Sequence, residues 1–291
     1  MAELMSRSLS YGIGRACTVA LLAGAASLGG CESFEIGGAR HVTLTYTDDA
    51  KAAYNEAMGA YRSHDWEDAR ALFGEVKKLF PYSRYARLAE LRMADINFEQ
   101  EKYSDASSSY RQFILSHKSD PDVPYARYRI TVSLFRDIDD TFFLPPAEER
   151  DQATTQDAYK EIRSFIRDYP ASRFLQDELY MYDVVVGRLV RHELYAARYY
   201  ARTDDFPAAL ARIDYALRTY PGSTLEPEAL VLKGETFLKM KRIADARSVL
   251  ETVTRDYQGP FVRTAQSFLD EIKTIESRPP RPRRPEDEKG L

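Results

Sequence analysis

The stretch from Ala197 to Pro221 reads ARYYARTDDFPAALARIDYALRTYP, and its spacing decides the fold. Ala209 stands at its centre, followed by Ile213, Ala216 and Tyr220 at intervals of 4, 7 and 11 residues. Those offsets trace one face of a helix. Pro221 cannot continue a helix and ends it. Twelve residues before Ala209 stands Ala197, small enough to let a second helix approach closely, and three residues beyond that is Tyr200.

The same pattern recurs along the chain. Trp66-Glu67-Asp68-Ala69, Tyr103-Ser104-Asp105-Ala106, Thr155-Gln156-Asp157-Ala158 and Ile243-Ala244-Asp245-Ala246 match Phe206-Pro207-Ala208-Ala209. Four residues after each Ala is a bulky side chain: Phe73, Tyr110, Ile162, Ile213 or Leu250. Seven after come Val76, Phe113, Phe165, Ala216 and Val253, and eleven after come Phe80, His117, Tyr169, Tyr220 and Tyr257. Upstream, the small residues Ala57, Ala94, Ala197 and Gly234 hold the position twelve before four of the five alanines. Small-x2-aromatic, then A-x3-F, then Pro is the tetratricopeptide pattern of paired helices. The predicted fold is all-α: a tetratricopeptide superhelix of five helix pairs with a C-terminal capping helix over Phe261 to Glu276.

The alanines are separated by 37, 52, 51 and 37 residues, so the two middle spacings carry insertions. One is Pro-rich, about residues 139–152, and contains Phe142-Phe143-Leu144-Pro145-Pro146. The other lengthens the first helix of the fourth pair. Ser172 to Thr203 holds no Pro and predicts a helix N-capped by Ser172, about 48 Å long at 1.5 Å per residue. This strut divides the chain into repeats 1–3 over 47–170 and repeats 4–5 with the cap over 171–277. Residues 278–291, RPPRPRRPEDEKGL, read as a disordered tail.

The N-terminus is an address. Arg7 and Arg15 precede the apolar run Ala16 to Ser27, which is too short to span a bilayer. Leu28-Gly29-Gly30-Cys31 ends it with the small residues that a lipoprotein signal peptidase requires. Residues 1–30 are expected to be removed, Cys31 to carry lipid, and 31–46 to form a flexible tether. Cys17 would leave with the signal, so acylation accounts for the single cysteine of the mature chain.

Composition excludes several classes of function. The 291 residues are 44% hydrophobic and 30% charged, as in a folded chain with a core. A net charge of −4 argues against nucleic-acid binding. No cysteine–histidine cluster suggests a metal, and no cofactor motif is present. His192-Glu193 begins a zinc-protease HExxH, but Ala196 stands where the second histidine is needed. Glu148, Glu149 and Asp151 form an acidic run that a glycan-cleaving enzyme could use, but such runs are usually solvated. His117 holds the place of a core aromatic. The expectation is a binding protein, not an enzyme.

Paired helices of this kind bind through the inner face lined by the first helix of each pair. The register places Tyr54, Tyr61, Arg62, Leu91, Asp95 and Phe98 there in the first two repeats, and Tyr125, Tyr128 and Phe135 in the third. An extended peptide needs apolar slots, polar partners for its backbone and a cation for its terminal carboxylate. Tyr54, Leu91 and Phe98 are expected as slots, Tyr61 as a phenol donor and Arg62 as the cation.

Leu189-Val190-Arg191-His192-Glu193-Leu194-Tyr195-Ala196-Ala197-Arg198-Tyr199-Tyr200, followed by the alanine-rich helix to Tyr220-Pro221, resembles the BamD (ComL) family. These are lipoproteins of the outer-membrane β-barrel assembly machinery, and the resemblance covers nearly the whole mature chain. It implies a place in the outer membrane of a Gram-negative bacterium, lipid-anchored and facing the periplasm. It further implies binding of the barrel-forming subunit's periplasmic domains by repeats 4–5. Repeats 1–3 would receive the C-terminal strand of unfolded barrel proteins, and other assembly lipoproteins are further candidate partners. The alternative is another repeat lipoprotein of the envelope, a pilus-secretin pilotin or a cell-division coordinator.

Overall fold

A computed structural model of the chain describes residues 42–138 and 146–277. The signal segment, Cys31 and the tether to residue 41, the 139–145 part of the insertion and the 278–291 tail lie outside the described residues. Eleven helices and no strand are found among those described. They are α1 (Val42–Arg62), α2 (Trp66–Leu79), α3 (Arg84–Glu99), α4 (Tyr103–Ser116), α5 (Val123–Asp137) and α6 (Ala153–Asp168). Then come α7 (Leu175–Arg202), α8 (Phe206–Thr219), α9 (Glu226–Lys239), α10 (Ile243–Asp256) and α11 (Pro260–Ser277). Odd-numbered α1 to α9 are the first helices of five pairs, α2 to α10 the second, and α11 is the cap. The fold is the predicted tetratricopeptide superhelix.

The repeat pattern has a direct physical meaning here. All fifteen side chains at offsets 0, 4 and 7, from Ala69 and Phe73 to Leu250 and Val253, are 2% exposed or less. The residue at offset 11 is the C-cap of the second helix in every pair. The N–H groups of Phe80, His117, Tyr169, Tyr220 and Tyr257 each donate to the carbonyl at offset 7. Asp65 and Asp205 cap the starts of α2 and α8 through their side chains, accepting from the N–H groups of Asp68 and Ala208.

The hairpin turns share a backbone feature that the residue pattern does not show. His64, Glu101, Asp204 and Lys241, each five residues before a pattern alanine, have φ of 60° or 61°. None is glycine, so each turn holds a side chain in the left-handed region. The close helix crossing is where it was expected in the last pair. A Cβ on Gly234 of α9 would stand 2.7 Å from Leu250 Cγ and Cδ2 on α10, and Ala197, Ala209 and Ala246 are fully buried.

Two boundaries differ from expectation. Helix α1 begins at Val42, inside the stretch read as tether, and Tyr46 packs edge-on against Phe80 at 5.3 Å between centroids. Helix α7 begins at Leu175 with Phe174 as its N-cap residue, so it has 28 residues and spans about 42 Å. Ser172 is not the cap: its Oγ accepts from the Phe174 N–H in the preceding turn, at 3.2 Å. The hydrophobic core is continuous from α3 to α9, running from Leu91 and Tyr110 through Val185 and Leu194 to Leu232. Smaller clusters close each end, around Phe73 and Ile96 at the start and around Leu250 and Leu269 at the finish.

Candidate functional site

Several of the residues singled out on the first helices gather around one buried carboxylate. Asp95 lies in the middle of α3 and is 1% exposed. Tyr110 of α4 and Tyr125 of α5 both donate their phenolic O–H to its Oδ1, the latter at 2.8 Å. Arg92 Nη1 of α3 stands 2.6 Å from Oδ2, and Arg129 Nε of α5 stands 3.5 Å from Oδ1. Arg129 also donates to the Tyr110 oxygen at 3.0 Å and lies over the Phe98 ring, 3.8 Å from its centroid. The Arg92 guanidinium lies near the Tyr54 phenol of α1 and 5.5 Å above the Tyr125 ring. Burying one carboxylate is tolerable only with such partners, because an unpaired buried charge costs several kcal/mol.

The electrostatics follow from that geometry. Burial and the charge of Asp95 push the Tyr61 phenol up to about 12. Burial and Asp95 likewise raise Tyr110 and Tyr125 above the usual phenol range. Burial alone would lower Arg92 and Arg129, but for Arg92 Asp95 and the phenols, and for Arg129 the phenols and Asp95, outweigh it and hold both cationic. Two arginines on one carboxylate leave a positive charge over, which Glu99 faces from its exposed position, 3.8 Å from Arg129 Nη2. The Arg92 Nε is buried without a hydrogen-bond partner among the described residues. The node holds two guanidiniums against Asp95, with Tyr54, Tyr61 and Phe98 around it.

The six expected groove residues therefore divide. Tyr54, Tyr61 and Phe98 are partly buried around the node, as their register requires. Leu91 is a correction: it is 0% exposed, packed in the main core, and offers no open slot. Asp95 is also corrected, from a groove-lining acid to the buried anchor that orients the arginines. Arg62 is exposed on the last turn of α1, and the cations that the fold assembles are Arg92 and Arg129. The signal for them was available, since Arg92 is one helical turn before Asp95. The Arg129 partnership depends on how α5 stacks on α3.

The other candidates have structural work. His117 caps α4, its ring 4.9 Å from Phe113 and its Nε2 3.4 Å from Glu90 Oε2. His192 Nδ1 lies 2.7 Å from the Glu148 carbonyl, and the Tyr195 hydroxyl donates to Glu149. Asp151 accepts from the Ala153 N–H at 3.1 Å. The acidic run thus clasps the insertion onto α7 and starts α6. Glu193 pairs with Arg212 of α8 at 3.1 Å. No group of metal-binding side chains occurs among the described residues.

Residues 47–253 match the family model YfiO, described as outer membrane lipoprotein. The chain belongs to this family. Its curated relatives include the outer membrane protein assembly factor BamD of Xylella fastidiosa (strain 9a5c), 29% identical over 212 residues, covering 70% of this chain and 72% of the relative. BamD of Caulobacter vibrioides is 27% identical over 77% of this chain and 70% of its own length. For BamD of Haemophilus influenzae the figures are 26%, 84% and 92%. A solved thermophilic TPR protein of Thermus thermophilus is 16% identical, covering 76% of this chain and 99% of its own, with a TM-score of 0.33. Family membership disfavours the pilotin and cell-division alternatives. No helix among the described residues is long and apolar enough to cross a membrane.

Proposed function

We propose that this chain is an outer-membrane protein assembly factor, a non-catalytic scaffold anchored by lipid on Cys31 and facing the periplasm. Its relatives carry that function in their names. The observation that carries the reading to the residues is the Asp95 node under the first helices of repeats 1–3. In this reading repeats 1–3 receive the C-terminal strand of an unfolded barrel protein. Tyr54 and Phe98 border the apolar slots, the Tyr61 phenol serves the peptide backbone, and Arg92 takes the terminal carboxylate. Its Nε is buried and its Nη1 already faces Asp95, so Arg92 offers the peptide its remaining Nη N–H groups, held in place by the node, which a lysine ammonium would not reproduce. Repeats 4 and 5 bind the periplasmic domains of the barrel-forming subunit, and other assembly lipoproteins share the remaining surface.

The test is fluorescence anisotropy with a labelled extended peptide ending in phenylalanine, with its carboxylate free or amidated. Arg92→Lys and Tyr61→Ala each weaken binding about tenfold, on the order of 1.4 kcal/mol. Arg62→Ala has a smaller effect, because its charge is solvated. Equal binding of the free and amidated peptides, or of wild type and Arg92→Lys, refutes the carboxylate role. Lipid labelling of wild type but not of Cys31→Ser checks the anchor, and capture of the barrel subunit from solubilised envelope checks the partner.

A further inference from the structure

The two edges of the superhelix differ in character. Short turns join antiparallel helices, so the start of each first helix and the end of each second helix share one edge. Contacts bear this out: Tyr46 of α1 meets Phe80 after α2, and Arg87 of α3 pairs with Asp120 after α4 at 2.6 Å. On this edge three large side chains stand in solvent: Leu79 is 60% exposed, Tyr82 92% and Leu115 64%. Lys78, Arg84 and Lys118 surround them, exposed and without an ion partner among the described residues. Of the acids nearby, Asp120 is tied to Arg87 and Glu90 to Lys77. Asp48 and Asp49 stand further along α1.

The opposite edge of the same two pairs reverses the pattern. Five acids, Asp65, Glu67, Asp68, Glu101 and Asp105, are exposed there against the cations Arg62 and Lys102, and no large apolar side chain is. At the ends of the second helices the apolar character stops after the second pair. The positions matching Leu115 in pairs three to five are Arg167, Arg218 and Arg255. At these helix ends, exposed leucine is thus confined to the two pairs nearest the N-terminus; a separate exposed group, Leu179, Tyr180 and Val184, lies on α7 without exposed leucine at the end of α8 beside it. Ten residues, Glu32 to His41, separate Cys31 from α1, and eleven peptide steps reach roughly 40 Å at full extension. Helix α1 starts on this same edge.

We propose that this edge of repeats 1 and 2 docks on a phospholipid headgroup surface, with Leu79, Tyr82 and Leu115 entering the interface and Lys78, Arg84 and Lys118 against lipid phosphates. The proposal rests on the reading of Cys31 as the anchor, which brings this edge within tether reach of the bilayer. Apolar side chains ringed by cations suit a headgroup region, where tyrosine also partitions well. A second, weak contact beside the acyl anchor would fix which edge faces the membrane and leave the inner face of repeats 1–3 side-on to it.

The test uses the full mature chain with Cys31→Ser, which has no other cysteine. Leu79→Cys, Leu115→Cys and, on the far edge, Ser63→Cys each carry an environment-sensitive fluorophore. With phosphatidylethanolamine–phosphatidylglycerol vesicles the probes at 79 and 115 shift to the blue, the probe at 63 does not, and salt weakens the response. Leu79→Ser with Leu115→Ser lowers vesicle co-sedimentation of the unlabelled chain about tenfold. The proposal is overturned by silence of all three probes or by equal shifts at 63 and 79. It is also overturned by a shift that grows with protein concentration in the absence of vesicles, since the edge then meets a second copy. Intact mass of the membrane-extracted wild type reports lipid on Cys31 separately, so loss of the anchor reading and loss of the docking edge are distinguishable.

Discussion

Glu178→Gln should make the protein more stable at neutral pH, and the reason lies in one hydroxyl proton. Glu178 of α7 is fully buried where α7 meets α5. Its Oε1 lies 2.5 Å from the Thr131 hydroxyl, which is also 2.6 Å from the Tyr128 carbonyl. A hydroxyl has one proton to donate. Both short contacts are satisfied together only when Thr131 donates to the carbonyl and a protonated Glu178 donates to Thr131. Burial, with the nearby Asp177 charge, holds the carboxyl up at about 8 against an ordinary 4.5, although Thr131 and Arg127 pull the other way.

The sign follows from proton counts. Between pH 4.5 and 8 the folded state keeps a proton that the unfolded state releases, so stability falls as pH rises through that window and levels off above it. From 4.5 to pH 7 the loss is at most about 3 kcal/mol, at about 1.4 kcal/mol per pH unit. Glutamine removes this term. Its amide donates to Thr131 less well than a carboxylic acid, which returns on the order of 1 kcal/mol. The variant should match wild type within about 1 kcal/mol at pH 4.5 and exceed it by about 2 kcal/mol at pH 7. Urea denaturation followed by circular dichroism between pH 4.5 and 8.5 measures the difference, provided the two m values agree. Parallel stability profiles for the two proteins would show that Glu178 is ionised in the folded state and refute the reasoning.

Four further outcomes are expected. Gly234→Ala places a methyl 2.7 Å from Leu250 and should cost about 1 kcal/mol net, overpacking exceeding the gain in helix propensity. Gly59→Ala and Gly74→Ala, which meet nothing within 4 Å, should instead stabilise by about 0.5–1 kcal/mol in the same thermal melts. Ala209→Leu should cost about 1–3 kcal/mol, and a melt equal to wild type would mean that α7 and α8 do not cross there. Asp95→Ala strips the shared partner from two half-buried arginines and two phenols, and should cost about 3–5 kcal/mol in chemical denaturation.

The helix pairs were legible in the chain because their information is local. A pattern alanine, three apolar offsets and a terminal aromatic occupy one helix face whatever the neighbours do, and that face became the core. The long α7 was legible for the same reason. Its start was not, because Ser172 could serve equally as a cap or as a turn acceptor, and only the position of Phe174 against Tyr128 selects the turn. The left-handed turn residues were invisible, since His64, Glu101, Asp204 and Lys241 share no side-chain chemistry and hold their conformation only because both flanking helices demand it.

The candidate site shows the limit most clearly. Sequence alone placed Tyr54, Tyr61, Asp95 and Phe98 on first-helix faces, since each lies at the right interval from its repeat's alanine. It could not say which of Arg62, Arg92 and Arg129 would be desolvated, or that Leu91 would turn into the core. Those outcomes depend on how α1, α3 and α5 are rotated against one another, which no single helix encodes. A carboxylate at the centre of three stacked helices can gather two arginines and two phenols only once the stack exists. Periodicity fixed the helices and their buried faces, and packing between repeats decided which charges were brought together.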